Sequence, residues 1–98
     1  MLHIVNKAPL TNSALENCLN IAASGELLLI EDAVYAATAG NAFEAKLREA
    51  MGRIKVYVLQ PDLEARGMGD RLIAGVATVD YDGFVNLTIS NNTCQSWL

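Results

Sequence analysis

The chain has 98 residues with 7 Lys+Arg against 11 Asp+Glu, a formal net charge of -4 and a pI near 4.7. That balance excludes a surface built mainly to hold phosphates, which needs clustered Lys and Arg, so direct nucleic-acid binding is not expected. Only 18% of the residues are charged and 52% are apolar, so a single small domain spanning 1–98 needs another chain to cover part of its surface.

Leu2-His3-Ile4-Val5 reads as a short strand ended by Asn6-Lys7-Ala8-Pro9. Ser13 and Glu16 have capping-box spacing and predict a helix start. Leu15, Cys18, Leu19 and Ala22 then follow at i, i+3, i+4 and i+7, the stripe of an amphipathic helix, with Ala14 and Ile21 beside it. Gly25 sits where a helix C-terminal glycine belongs. Glu26 to Ile30 is continuously apolar after its first residue, which predicts a strand buried on both faces, as in a parallel sheet.

Asp32 to Ala37 reads as a short helix stopping near Gly40, and Asn41 as the cap of a second stretch over Ala42 to Met51. Ile54 to Leu59 is a third strand. Pro61 to Gly67 has Pro at a helix start and Gly past its end. Val76 to Val79 is a fourth strand, and Asp80 caps a last helix in which Tyr81, Phe84, Val85 and Thr88 share a face. The polar tail ends on Trp97-Leu98, an apolar pair expected to dock on this chain or on a partner.

Strands alternating with helical segments predict an α/β fold: a mainly parallel sheet of four or five strands with helices on both faces. Ligands of such folds gather at the carboxyl ends of the strands, here Asn6-Lys7, Glu31-Asp32, Gln60 to Asp62 and Asp80-Tyr81. Asp32 and Asp80 are read as helix caps, with acid–base carboxylates as the alternative.

The chain carries no dinucleotide fingerprint, P-loop, GxSxG or HExxH motif. Gly67-Met68-Gly69-Asp70 follows a helix and reads as a stop and a turn. Two cysteines and one histidine are too few for a disulfide framework or a closed zinc site, so neither metal nor cofactor is expected. The opening residues lack a basic and long apolar leader, and the longest apolar run, Leu27 to Ile30, falls far short of a membrane span. A cytoplasmic protein with reduced thiols is expected.

Cys18 is the candidate for chemistry, since a thiolate can carry sulfur as a persulfide. Its place on the apolar stripe supports a second reading, a small buried hydrophobe. Cys94 in the polar tail is expected to be exposed and mobile, and a Cys18–Cys94 disulfide is disfavoured in a reducing compartment. His3 in a buried strand reads as a hydrogen-bonded structural histidine.

The order of Met1 to Lys7, Glu26 to Ala37, Lys55 to Leu59, Asp62 to Gly67 and Asp80 to Thr88, with a Trp near the end, resembles the DsrH/TusB family over nearly the whole chain. The resemblance implies a small DsrE-like three-layer fold. It implies assembly with DsrE/TusD-like and DsrF/TusC-like subunits into a heterohexamer that relays persulfide sulfur between DsrC/TusE-like and TusA-like carriers. The destination is 2-thiouridine in tRNA in one branch and sulfur oxidation in the other. A cysteine in the first helix, here Cys18, matches the DsrH branch, and the principal relay cysteine lies on the DsrE/TusD-like subunit. Three functions follow: a persulfide-carrying subunit using Cys18, an interaction subunit without chemistry of its own, and a small-ligand-binding α/β domain.

Overall fold

Strands that are apolar at successive positions must be covered on both faces, and the computed structural model, which describes residues 1–97, has them so. Strands β1 (Leu2–Val5), β2 (Glu26–Leu29), β3 (Lys55–Leu59), β4 (Ala77–Val79) and β5 (Cys94–Trp97) form one sheet in the order β4-β3-β2-β1-β5. Every pairing is parallel; Leu2 lies opposite Glu26 on one side and Cys94 on the other. The helices are α1 (Ala14–Ile21), α2 (Glu44–Ala50), α3 (Gln60–Ala65) and α4 (Tyr81–Ser90), with a 3₁₀ helix over Glu31–Ala37.

The layering follows from this order. Steps from β1 to β4 all move the same way across the sheet, and right-handed crossovers then put α1, the 3₁₀ helix, α2 and α3 on one face. The return from β4 to β5 runs in the opposite direction and leaves α4 on the other. Side-chain alternation fills both layers. Val5, Leu27, Leu29, Val56 and Val58 point into the larger core with Leu15, Leu19, Leu47 and Leu63. Leu2, Ile4 and Leu28 meet Leu87 beneath α4, with Tyr57, Val79 and Phe84 at the margin. The α/β, three-layer expectation is met, with five strands, all parallel.

Several local expectations are corrected by long-range partners. The Ser13–Glu16 capping box does not form: Ser13 makes no capping bond, Asn12 Oδ1 accepts from the Ala14 N–H at 2.8 Å, and Glu16 pairs with Lys46 at 2.8 Å. Asp32 is no cap either; its Oδ1 lies 2.9 Å from Arg66 Nη2. Asp80 does cap α4, accepting from the Gly83 N–H at 2.8 Å.

Helix α1 ends at Ile21, so Gly25 is not its stop. Gly25 has φ +106, and a Cβ there would sit 2.5 Å from the Met1 carbonyl oxygen. Only glycine lets the β2 entry pass that close. The helix expected from Ala42 starts at Glu44. Of the face expected to join Tyr81, Phe84, Val85 and Thr88, Phe84 turns toward the sheet while Tyr81 and Val85 stay exposed. Cys94 lies in strand β5 rather than in a loose tail, although it is exposed as expected.

Trp97 docks on its own chain. It packs against the larger core, and its Nε1–H donates to Nδ1 of the buried His3 at 3.2 Å. Leu98, the other half of the expected docking pair, lies outside the described residues.

Candidate functional site

Helix α1 buries the predicted stripe: Leu15, Cys18, Leu19 and Ala22 are all covered. The far end of the helix is held by a residue more than thirty positions on. Arg53 donates from Nη2 to the Leu19 carbonyl at 2.7 Å and from Nε to the Ala22 carbonyl at 3.0 Å. That guanidinium satisfies carbonyls left open at the helix C-terminus, where the sequence supplies no basic residue of its own.

Cys18 is therefore fixed inside the core with 0% exposure. Burial pushes its thiol up to about 11, because an apolar surround cannot solvate a thiolate. Among the described residues no hydrogen bond reaches its sulfur, and His3 is committed to Trp97. The sheet separates the two cysteines: Cys18 belongs to the larger core, whereas Cys94 stands opposite Leu2, whose side chain points to the α4 layer. Both thiols are free. In this arrangement Cys18 is shielded from a sulfur donor.

The carboxyl ends of the strands, where ligands of this fold class gather, carry a cavity of about 430 Å³. Its walls are the β1–α1 loop (Ala8 to Thr11), the end of the 3₁₀ helix (Tyr35 and Thr38 to Asn41) and the α3–β4 loop (Met68 and Arg71). The walls are pinned to one another. Ala39 N–H donates to the Arg71 carbonyl at 2.7 Å, and Ile73 N–H to the Ala37 carbonyl at 2.8 Å. Asn41 ties its own loop by donating to the Tyr35 and Ala36 carbonyls at 3.2 and 3.3 Å and accepting from the Phe43 N–H at 2.6 Å.

Among the described residues the lining is mainly apolar, holds no carboxylate, cysteine or histidine, and includes one basic residue, Arg71. Four cations of the described residues are paired with carboxylates, and Arg71 is not among them. The cavity is thus suited to receive an apolar segment with an acidic group. It has no group able to act as nucleophile at neutral pH.

The strand-end carboxylates stand beside it and are occupied structurally. Asp62 Oδ2 accepts from the Glu31 N–H at 2.6 Å and braces Glu31 at φ +51, a conformation that costs a non-glycine residue energy. Asn6 Nδ2 donates to Glu31 Oε2 at 3.3 Å. Asp32 is taken up by Arg66. No carboxylate pair is arranged there for acid–base work among the described residues. The sequence reading located the strand ends but missed Tyr35 and Arg71 as lining residues. Neither carries a motif; only the meeting of three loops selects them.

Comparison with known proteins agrees with this architecture. A family model described as DsrH like protein matches residues 7–94. The chain is 40% identical to Protein TusB of Escherichia coli O81 (strain ED1a) over 99 aligned residues, covering 99% of this chain and 100% of that protein. It is 39% identical to Protein TusB of Shigella flexneri over the same span. Among solved structures, the ychN protein from E. coli superposes with a TM-score of 0.80 at 23% identity, covering 97% of each chain. A protein of unknown function from Methanobacterium thermoautotrophicum superposes at 0.71 and 19% identity, covering 97% of this chain and 95% of that one. At such identities these two bear on the fold alone.

Proposed function

This chain belongs to the DsrH family, and on that premise we propose that it is a cytoplasmic sulfur-relay subunit that organises its partners while the sulfur travels on theirs. The partners are DsrE/TusD-like and DsrF/TusC-like subunits, and the cargo is persulfide sulfur moving between small carrier proteins of the DsrC/TusE and TusA kinds. The shared TusB name of its full-length relatives favours 2-thiouridine in tRNA as the destination over sulfur oxidation.

One observation carries the choice of an organising role over a carrying one. Cys18 has 0% exposure and a thiol pushed up to about 11, so it offers a donor neither access nor thiolate. The cavity at the strand ends contributes a preformed, carboxylate-free surface with Arg71 at its wall, consistent with receiving a partner segment.

The experiment is intact-mass spectrometry of the chain, alone and with its partner subunits, after incubation with a persulfidated carrier. Cys18→Ser and Cys94→Ser variants run alongside. Sulfur gained by a partner subunit and not by this chain is the expected result. One sulfur atom gained here and lost only in Cys18→Ser would overturn the organising role and make Cys18 a persulfide carrier.

A further inference from the structure

The cavity at the strand ends leaves two polar side chains unpaired. Its other polar side chains are spent on their own loops. The Thr38 hydroxyl donates to the Tyr35 carbonyl at 2.6 Å, and the Asn41 amide is engaged through both its nitrogen and its oxygen. The guanidiniums of Arg48, Arg53 and Arg66 donate to acceptors within the chain. Among the described residues the Arg71 guanidinium and the Tyr35 hydroxyl meet no partner, although both line the cavity. Both can donate a hydrogen bond, and the guanidinium can only donate.

The two walls belong to one frame. Thr38 and Leu72 form an antiparallel bridge, which joins the end of the helical turn carrying Tyr35 to the loop carrying Arg71. That backbone is set before anything binds, so little ordering is left for the moment of association. Apolar surface also continues from the cavity onto its rim. Leu10 is 74% exposed and Tyr35 36%, with Pro9 and Met68 in the same lining. A free small molecule would fill the cavity and leave that rim wet, whereas a protein segment covers both. Tyr and Arg in an apolar concavity are the residue types on which binding energy at protein interfaces concentrates.

We infer that the cavity seats a segment of a partner subunit in which an Asp or Glu is flanked by apolar side chains. Arg71 and the Tyr35 hydroxyl receive the carboxylate, and Pro9, Leu10 and Met68 receive its apolar neighbours. Charge decides the occupant. A guanidinium matches a carboxylate through two parallel N–H···O bonds. Among the described residues the lining has no carboxylate to compete for Arg71 or to receive a basic residue. A basic segment would set like charges together, and an uncharged one would cover the guanidinium without giving it an acceptor. The inference rests on the organising role proposed above and adds the chemistry by which the partner is chosen.

The isolated full chain, isotope-labelled, is titrated with the peptide acetyl-Phe-Glu-Leu-amide and with its Gln counterpart while amide resonances are followed. The Glu peptide should bind about tenfold more tightly, the factor expected of one charge-assisted pair, and should shift the lining residues. Arg71→Met keeps an apolar stem and should erase the preference. Arg71→Glu should turn it toward acetyl-Phe-Lys-Leu-amide, a change that lost packing alone does not produce. Arg71 is exposed, so both variants should keep the wild-type circular dichroism. In parallel, the chain is co-purified with its DsrE/TusD-like and DsrF/TusC-like subunits, and Arg71→Glu should lose them.

Equal binding of the two peptides, or shifts confined to other surfaces, would overturn the inference. Undiminished co-purification of Arg71→Glu would overturn it while leaving the organising role intact. A wild-type chain that prefers the Glu peptide yet retains no partner subunit would overturn the organising role and, with it, the occupant. Self-association of the chain alone, lost in Arg71→Glu, would overturn the assignment in favour of a second copy.

Discussion

Exposing the native protein to a thiol-labelling reagent at pH 8 should modify Cys94 and leave Cys18 unreacted until the chain unfolds. The size of the difference depends on whether the thiol reacts in place or through an opening of the core. With the thiol at about 11, about one molecule in a thousand carries a Cys18 thiolate at pH 8, against about a quarter for a free cysteine of pKa near 8.5. Ionisation alone thus slows labelling about 200-fold relative to an unfolded control. Zero exposure then requires an opening of the core. Reaction through an opening that cost the lower end of a whole-domain stability, about 5 kcal/mol, is slowed by roughly three to four decades. This replaces the ionisation factor rather than multiplying it, because the opened thiol is solvated and ionises as a free one. The assay is labelling kinetics on the Cys94→Ser variant, so that Cys18 supplies the only signal, with a denatured sample as the reference. Stability should also change with pH. Because the folded-state pKa is raised, the unfolded chain loses its proton first, and stability falls as pH climbs from about 9 to about 11. Cys18→Ala should lack that part of the fall. Native Cys18 reacting as fast as the denatured control, or a pH dependence unchanged by Cys18→Ala, would refute the argument from burial.

Four other expectations concern the scaffold. Trp97→Phe retains an aromatic ring and deletes the donor to His3; leaving that buried nitrogen unsatisfied should cost about 1–2 kcal/mol, read by urea denaturation, with faster amide exchange along β5. His3 has its pKa lowered by burial and by the nearby amino terminus, so the unfolded chain takes up the proton first and stability should drop as pH falls below about 6.5. His3→Gln should abolish that drop in a thermal-melt series. Gly25→Ala should impair folding outright, since its Cβ would meet the Met1 carbonyl oxygen at 2.5 Å in a backbone conformation of φ +106; a soluble variant with wild-type melting would contradict it. Asp80→Ala should cost about 1 kcal/mol through the lost cap, whereas Asp32→Ala, breaking a pair in which the carboxylate is largely exposed, should cost less. Equal losses in chemical denaturation would count against the distinction.

Hydrophobic spacing by itself determined the α/β class, four strands expected from Leu2, Glu26, Ile54 and Val76 and found from Leu2, Glu26, Lys55 and Ala77, and the buried stripe of Leu15, Cys18, Leu19 and Ala22. Apolar residues must leave water, and their period states which element can bury them. The cap by Asp80 and the helix stop at Gly67 were legible because they act within three or four residues. Partners distant in sequence decided the rest. Nothing in Cys94-Gln95-Ser96-Trp97 alternates or runs apolar; it is a strand because β1 offers it an open edge. Arg53 reaches back to α1, Arg66 displaces the capping role from Asp32, and Lys46 takes Glu16 out of its box. The face that α4 turns to the sheet was undecidable from spacing because both faces carry apolar residues. Whether Cys18 is a nucleophile or a core residue rested likewise on tertiary structure: thiol chemistry depends on solvent and neighbouring charge, and only the fold sets those around it.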